Sequence, residues 1–265
     1  MITRRFFAPS SLVIAGEAES LYGKPALACT VTSGVYVSIT SSNKLHLSPE
    51  DESVYNAVKM YCVKRDIALH DEPFSLSLMV EKSELPFYHP RIPVLVAAVF
   101  HFLTGQVLST SEVNNLSYQI LKKSYPKLSG LENSASCLGG LIYYRKEFEF
   151  LKGIYQLPFK FAFAFQDEFS VAHFYNDRYL SVSDRYKELY RTNPRKAEKG
   201  LMEIEKTVKR LVVAIAKEDV KLFRDSLETI KNTYDKLGCV YVSTNTSLND
   251  TEIFHPSYEG IRMLT

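Results

Sequence analysis

The sequence predicts an α+β protein, because segments with the spacing of strands and segments with the spacing of helices both occur along the chain. Phe74–Val80 alternates from residue to residue, as a half-buried strand does. Arg195–Ala216 and Asp219–Leu237 repeat apolar residues at intervals of three and four, as helices with one buried face do. Both kinds of segment are therefore expected to contribute buried faces.

The composition of the chain changes near residue 155. Leu157–Phe165 has phenylalanine at every second position from Phe159, which predicts a buried strand, and three helical segments follow it. We therefore expect a strand-and-helix domain over residues 1–155 and a smaller α+β domain over residues 156–265.

The remaining elements follow from the same periodicities and from turn and cap residues. Ser109 or Thr110 is the expected cap of one helix, Asp219 caps the last helix, and Gly238 ends it. The expected strands are Thr3–Phe7, Leu12–Ala15, a hairpin of Gly34–Thr40 with Lys44–Leu47, and a strand that begins at Leu141–Tyr144. The other expected elements are helices at Ser53–Lys64, Pro93–Leu103, Ser109–Lys123 and Asp184–Arg191, and loops at Gly16–Val31 and Leu128–Gly140.

Charge and composition exclude several classes of function. The 265 residues carry a net charge of +2, which gives no electrostatic reason to bind nucleic acid or an anionic membrane. The longest apolar run, Ile92–Leu103, is too short to cross a bilayer. The four cysteines and six histidines lack the spacing of metal ligands, so we expect no structural metal and a cytoplasmic protein with reduced thiols.

Ser83–Gly105 is the segment that bears most on function. It predicts the end of a strand, a short loop and a helix that is apolar on nearly every side. Such units often hold phosphate, because the N-terminus of a helix presents unpaired N–H donors. The loop Pro86–Pro93, however, has three prolines and no glycine, serine or threonine. The segment therefore has the layout of a phosphate site without its usual residues.

Three passages resemble the GHMP small-molecule kinases, which include galactokinase, homoserine kinase, mevalonate kinase and phosphomevalonate kinase. Residues 8–31, APSSLVIAGEAESLYGKPALACTV, are similar to the family's APGKVILFGEHAVVYGKPALAAAV. Residues 129–143, SGLENSASCLGGLIY, are similar to its SGIDNAASTYGGLIY, and Ser183–Pro194 with the helices after it resembles a third family region. The sequences of these passages are most similar to those of mevalonate kinase. The correspondence with the family runs over essentially the whole chain.

The resemblance implies a two-domain GHMP-kinase-like fold. Its N-terminal domain would be an α/β sandwich like domain 2 of ribosomal protein S5, and its C-terminal domain would be ferredoxin-like α+β. The last residues, Gly260–Thr265, resemble those just ahead of the family's C-terminal glycine-rich loop. We therefore expect the last strands of the C-terminal domain to be missing.

The family's phosphate loop corresponds by position to Pro86–Ala97. Tyr88, Pro90 and Ile92 occupy glycine positions, although phosphate binding needs the close backbone approach that glycine allows. Arg91 is either a phosphate-binding cation or an ordinary surface charge. The residues equivalent to the nucleotide loop are Tyr88, His89, Pro90, Arg91, Ile92, Pro93 and Val94.

The implied catalytic positions are also altered. Ser11 stands in place of the family lysine, and Glu132 stands in place of the catalytic aspartate. The extra methylene of Glu132 moves its carboxylate by about 1 Å, and such misplacement can cost on the order of 10²-fold in rate. The two metal-ligand positions hold Val94 and Leu121, which cannot bind magnesium.

The resemblance further implies six substrate-binding positions, and each has a structural alternative. Residues 129–140 either present Glu132 as a base or form a structural loop. The turn at residues 17–24 either lines the substrate and nucleotide site, with Lys24 in place of the lost lysine, or only packs Leu21 and Leu27. The six implied positions are Glu17, Tyr22, Lys24, Ser129, Gly130 and Asn133.

Three functions follow as hypotheses. The first is a pseudokinase, which keeps the fold as a binding or interaction module and needs no cofactor. The second is an active kinase of a small alcohol such as mevalonate, in isoprenoid biosynthesis, which would need ATP and Mg²⁺. The third is a truncated product or a subunit, in which a homodimer or partner subunit covers the C-terminal sheet. All three allow a small-molecule ligand, and none involves nucleic acid or a membrane.

Overall fold

The computed structural model describes residues 3–45, 47–70, 72–81, 90–149, 151–159, 177–239 and 257–264, and for residues 177–181 it describes the helix only. The strands in this part of the chain are β1 (Thr3–Ala15), β2 (Pro25–Ser41), β3 (Phe74–Val80), β4 (Leu141–Lys146), β5 (Lys152–Leu157) and β6 (Arg262–Leu264). The helices are α1 (Glu17–Ser20), α2 (Pro49–Val63), α3 (Arg91–Thr104), α4 (Thr110–Ser124), α5 (Leu131–Leu138), α6 (Asp177–Thr192), α7 (Pro194–Ala216) and α8 (Val220–Leu237).

The strands form one sheet in the order β5-β4-β2-β1-β6, and β3 also pairs with β2. The long strand β2 has room for two antiparallel partners in succession. Its residues Pro25–Cys29 pair with β4, and its residues Val35–Ser41 pair with β3. The α+β class predicted from the sequence is confirmed.

Strand β1 is continuous, so the prediction of two strands separated by residues 8–11 is wrong. Proline cannot donate to a strand ladder, so Pro9 would interrupt a strand that is paired at that residue. On the β6 side, however, pairing covers only Arg5–Phe7, so no ladder bond is lost there at Pro9. Residues 8–11 therefore continue the strand and are fully buried, which places Ser11 in the interior.

The predicted hairpin of Gly34–Thr40 with Lys44–Leu47 is also wrong. Residues 35–41 of β2 pair with β3, in the register Val35 to Val80 and Ser41 to Phe74. The polar residues after β2 lead into α2, whose first turn is capped by the Ser48 hydroxyl. The prediction from local turn residues fails because the partner strand lies more than thirty residues along the chain.

A helix, α5, occupies most of Leu128–Gly140, which was predicted to be a loop. Its small residues have weak intrinsic helix preference. Tertiary contacts stabilise it instead, since five consecutive residues from Asn133 to Cys137 are buried. Glu132 therefore lies in the first turn of a helix and not in a loop.

Helix α3 belongs to a hydrophobic core cluster, together with residues of β1, β2, α2 and α4. Val94, Val96, Ala98 and Val99 are fully buried, and Pro93 lies in the first turn. The prediction of a helix buried on more than one side is confirmed. Its segment is two residues longer at the N-terminus than expected, because Arg91 and Ile92 are helical.

The chain divides into two compact units, each built from several segments. Unit 1 comprises Met1–Ser11, Thr30–Gly140 and Ser257–Thr265, and unit 2 comprises Leu12–Cys29 and Leu141–Pro256. Within unit 2, α7 and α8 pack against each other. The expected domains, residues 1–155 and 156–265, stay a prediction.

Local signals placed the later helices well. Asp219 caps α8, Gly238 ends it in a left-handed conformation, and Ser109 caps α4 through a capping box with Glu112. Strand β5 was not predicted. The phenylalanine-rich strand lies outside the described residues from residue 160 onward, as do Tyr88 and His89. No helix in the described ranges is both long and apolar enough to cross a membrane.

Candidate functional site

Ser11 and Glu132 lie side by side within unit 1. The Ser11 hydroxyl is fully buried and donates a hydrogen bond of 3.1 Å to the main-chain oxygen of Glu132. The structure thus brings together the two positions that the resemblance assigns to catalysis. A serine hydroxyl carries no charge, so this pair lacks the cation that would stabilise a developing alkoxide.

The start of α5 determines where Glu132 lies. Gly130 precedes the helix in a left-handed conformation with φ of 88°, and it accepts a hydrogen bond of 2.7 Å from the Ser134 hydroxyl. The buried Ser129 hydroxyl accepts from the amide of Leu131 at 3.2 Å. These contacts give Ser129 and Gly130 a structural part in holding the N-terminal turn of α5.

Asn133 connects α5 to α4. Its side-chain amide donates to the side-chain oxygen of Asn114 at 2.6 Å and to the Asn114 main-chain oxygen at 3.1 Å. The donors of Asn133 are therefore engaged inside unit 1. Its side-chain oxygen is buried, and no described residue donates to it.

The N-terminus of α3 offers few donors to an anion. Of the four positions from the N-cap to the third residue, Pro90 and Pro93 have no N–H, and no side chain caps the helix. Val94, the implied metal-ligand position, is fully buried and apolar. The described part of this turn therefore has two amide donors where an ordinary helix has four.

Arg91 is bound by carboxylates of a neighbouring helix. Its guanidinium lies 2.9 Å from an Asp51 oxygen and 3.0 Å from a Glu50 oxygen, both in the first turn of α2. These carboxylates compensate the dipole of α2 and also the charge of Arg91. An incoming phosphate would have to compete with two acidic groups for this arginine.

The other implied metal position is equally apolar. Leu121 lies in α4 and is buried. Magnesium binds oxygen ligands, which neither valine nor leucine provides. Within the described residues no group of three histidine, cysteine or acidic side chains is placed to hold a metal ion.

The candidate residues of unit 2 surround the short helix α1. Glu17 is buried in α1, and the Tyr22 hydroxyl donates to the main-chain oxygen of Ser183 at 3.1 Å. The Lys24 ammonium forms an ion pair of 3.1 Å with Glu205. Lys24, considered above as a substitute for the lost lysine, thus already has an acidic partner in unit 2.

Sequence reasoning missed Glu19, which follows Glu17 by two residues in α1. Its carboxylate is fully buried and accepts hydrogen bonds from the hydroxyls of Tyr186 at 2.9 Å and Tyr234 at 3.1 Å. Burial raises the pKa of Glu19, and the hydrogen bonds oppose that shift only in part. The signal in the sequence that could have indicated this buried carboxyl is the second acidic residue of the segment 17–24, which is otherwise rich in residues that pack in the interior.

Comparison with solved structures identifies the fold. The phosphomevalonate kinase of Streptococcus pneumoniae matches with a TM-score of 0.66 and 14% identity, over 100% of this chain and 92% of that chain. The fold is that of the GHMP kinases. The L. major mevalonate kinase in complex with R-mevalonate matches with a TM-score of 0.63 and 14% identity, over 87% of this chain and 74% of that chain.

The GHMP fold accommodates other substrates as well. A D-glycero-D-manno-heptose 1-phosphate kinase from B. thetaiotaomicron matches with a TM-score of 0.62 and 17% identity, over 100% of this chain and 88% of that chain. No protein-family model and no curated protein sequence matches the chain. At these identities the likeness establishes the fold, and activity has to be argued from the site.

Proposed function

We propose that this GHMP-fold protein is a pseudokinase, which has lost phosphoryl transfer and serves as a binding or interaction module. The N-terminus of α3 carries the proposal. Pro90 and Pro93 remove half of its amide donors, and Arg91 is paired with two carboxylates of α2. Phosphoryl transfer depends on positioning and on neutralising the charge of the phosphates, and this turn contributes little to either.

Two further observations support the proposal. The implied ligand positions for magnesium, Val94 and Leu121, are apolar and buried. Ser11 is neutral, and its hydroxyl is already hydrogen-bonded to the backbone at Glu132. Binding of a small molecule needs no phosphate-binding turn, no magnesium ligands and no catalytic lysine. The R-mevalonate of the L. major structure is therefore the first ligand to test against this chain.

Thermal unfolding in the presence of ATP and Mg²⁺ tests the loss of nucleotide binding. We expect 1 mM ATP with Mg²⁺ to leave the unfolding midpoint where Mg²⁺ alone leaves it. A kinase with a Kd near 10 μM would instead gain about 2.7 kcal/mol of stability, which for a chain of this size raises the midpoint by roughly 5–10 °C. A saturable rise of that size with ATP, but not with adenosine, would reject the pseudokinase proposal.

A second candidate is an ATP-dependent kinase of a small alcohol, with Glu132 as general base. The contact between Ser11 and the Glu132 backbone favours it, because the two implied catalytic positions lie next to each other and the Glu132 side chain is partly exposed. In this case Glu132→Gln would lower phosphate transfer from ATP to mevalonate by about 10²- to 10⁴-fold.

The matched control for Glu132→Gln is Glu228→Gln, which changes an exposed carboxylate of α8. If purified wild-type protein transfers phosphate and only the Glu132 variant loses the activity, the kinase is established. If neither the wild type nor the Glu228→Gln control transfers phosphate to mevalonate or to sugar alcohols, the second candidate is rejected.

A further inference from the structure

A buried carboxyl group in unit 2 has no place in the proposed function. Glu19 lies in α1 and is fully buried, as is Tyr186 of α6, and Tyr234 of α8 is 1% exposed. Each carboxylate oxygen of Glu19 accepts a hydrogen bond from one of these tyrosines. Three elements that are distant in sequence therefore meet at a single ionisable group.

The charge of this carboxylate is poorly compensated. None of the ion pairs between described residues includes Glu19, and tyrosine hydroxyls are neutral donors. A buried charge without a counterion is costly, and a carboxyl group can avoid that cost by taking up a proton. Burial raises the pKa of both tyrosines further, so they stay protonated as donors over the ordinary pH range.

Other titratable groups face this cluster from each element packed around it. From the α1 segment these are Glu17 and Tyr22, and from the end of α8 it is the buried thiol of Cys239. Among the described residues, Arg185 of α6 and Lys196 of α7 face Cys239, and Lys187 of α6 faces Tyr22 together with the acidic Asp184. The nearest groups are therefore acidic or neutral, which favours a bound proton.

We propose that Glu19, Tyr186 and Tyr234 form a proton-operated latch, in which gain or loss of a proton by Glu19 sets how firmly α1 is held to α6 and α8. When the carboxyl is neutral, its new O–H donates to a tyrosine oxygen and no buried charge remains. When the carboxyl is ionised, hydrogen bonds from the two tyrosine hydroxyls and from the Glu19 main-chain amide stabilise the charge, and no ion pair among the described residues does so. The latch holds most firmly in its protonated form.

The sign of the pH dependence follows from proton linkage. A group that binds its proton more tightly in the folded than in the unfolded chain adds stability below its unfolded pKa, and that stability is lost as pH rises through the folded pKa. Between those two values the folding equilibrium constant falls up to tenfold per pH unit because of Glu19. Glu205 should have the opposite sign, since its neighbour Lys209 lowers its pKa.

The test compares wild type with Glu19→Gln by denaturant unfolding at intervals from pH 4 to pH 8. Glutamine keeps the shape of the side chain and cannot ionise. The folding constant of wild type relative to Glu19→Gln should fall as pH rises, by up to tenfold per pH unit within the pH window between the unfolded and the folded pKa of Glu19. For Glu205→Gln, the matched control, the ratio of the wild-type folding constant to that of the variant should be constant above the unfolded pKa of glutamate, about 4.3, and should fall below that pH.

Two phenylalanine variants separate proton binding from simple packing. Tyr186→Phe and Tyr234→Phe each remove one donor to the carboxylate, so each should move the window of Glu19 to higher pH. A purely structural cluster would lower stability equally at every pH. The side-chain carboxyl carbon of Glu19, followed by NMR through the same pH range in wild type, reports its protonation directly.

The proposal is overturned if the difference between wild type and Glu19→Gln is constant across pH, or if the NMR signal titrates at the pH of an exposed glutamate. Should Glu19→Gln fail to fold, the NMR titration of wild type and the two phenylalanine variants decides the matter. The test uses no nucleotide, so its outcome is independent of the pseudokinase proposal.

Discussion

The Ser11 hydroxyl donates a hydrogen bond of 3.1 Å to the main-chain oxygen of Glu132, across 121 residues of sequence. Because the acceptor is a backbone atom, the contact does not depend on which acidic side chain occupies position 132. It joins β1 to the N-terminal turn of α5. The contact therefore ties the interior of β1 to the start of α5 whichever side chain stands at position 132.

Replacement of Ser11 by alanine tests this contact. Ser11→Ala removes a buried donor and should lower the free energy of unfolding by about 1 kcal/mol. Glu132→Gln is the control, since it leaves the backbone acceptor and hence this hydrogen bond in place. Urea denaturation of the single and double variants measures both effects. A loss in Glu132→Gln that disappears when Ser11 is already alanine would show that the side chain contributes to the contact.

The N-terminus of α4 should depend on its capping box. Ser109 accepts from the amide of Glu112, and the Glu112 carboxylate accepts from the Ser109 amide and hydroxyl. Ser109→Ala should cost about 1 kcal/mol of stability, whereas Ser109→Asp should keep most of it. Equal stability of the alanine and aspartate variants in urea denaturation would contradict this role for the cap.

Acid should weaken the same cap. The Ser109 hydroxyl, then Tyr61 and Arg65, hold the pKa of Glu112 below its usual value. A depressed pKa adds stability above the unfolded pKa, about 4.3 for glutamate, and that stability is lost as pH falls through the folded pKa. The destabilisation caused by Glu112→Gln should therefore shrink between pH 5 and pH 3 in thermal unfolding scans.

Gly139 and Gly260 lie in close contact at the junction of α5 and the C-terminal segment. A Cβ on Gly139 would meet the backbone of Glu259 and Gly260, and a Cβ on Gly260 would meet the carbonyl of Cys137. Gly139 also has a φ of 80°. Gly260→Ala should therefore destabilise through the clash alone, and Gly139→Ala through clash and backbone strain together.

Gly23→Ala supplies the matched control for these two variants. Gly23 has a φ of 74°, but a Cβ there would lie 3.9 Å from its nearest neighbour, so only backbone strain remains. We expect a cost of roughly 1–2 kcal/mol for this variant and larger costs for the other two, with Gly139→Ala the largest. Thermal unfolding gives the order, and a Gly260→Ala variant as stable as Gly23→Ala would contradict the close approach.

Thr30 joins three chain segments in the interior of unit 1. Its hydroxyl donates to the main-chain oxygen of Ser257 at 2.5 Å and accepts from the amide of Gly140 at 2.8 Å. Thr30→Val keeps the shape and removes both bonds, so it should cost about 1–3 kcal/mol. Thr30→Ser keeps the hydroxyl and should leave the C-terminal segment as resistant to carboxypeptidase as in wild type, unlike Thr30→Val.

Local signals in the sequence predicted the helices of this protein better than its strand pairing. Ser109, Asp219 and Gly238 act within one or two turns of their own helices, so their effect can be read from neighbouring residues. The pairing of β2 with β3 depends on two segments separated by α2. A polar turn after Thr40 was the nearest local signal, and it predicted the wrong partner.

The sequence predicted which residues occupy the candidate site, but it did not predict most of the contacts that those residues make. The resemblance assigned catalytic positions to Ser11 and Glu132 and put apolar residues at the metal positions, and the structure brings Ser11 and Glu132 together. The partners of Arg91 and Lys24 could not be inferred, because Asp51 and Glu205 belong to helices whose packing the motifs do not describe. Glu19 was missed since its burial arises only when α6 and α8 close over α1.

The close approach of Gly139 and Gly260 has a consequence for the order of events during synthesis. Unit 1 contains residues from the first strand, yet it also contains Ser257–Leu264, which pairs with β1 through β6. The helices of unit 2 emerge before that segment is made. One side of Arg5–Phe7 in β1 therefore stays uncovered until residues 257–264 have been made, and the nascent chain is open to aggregation or chaperone binding throughout that interval.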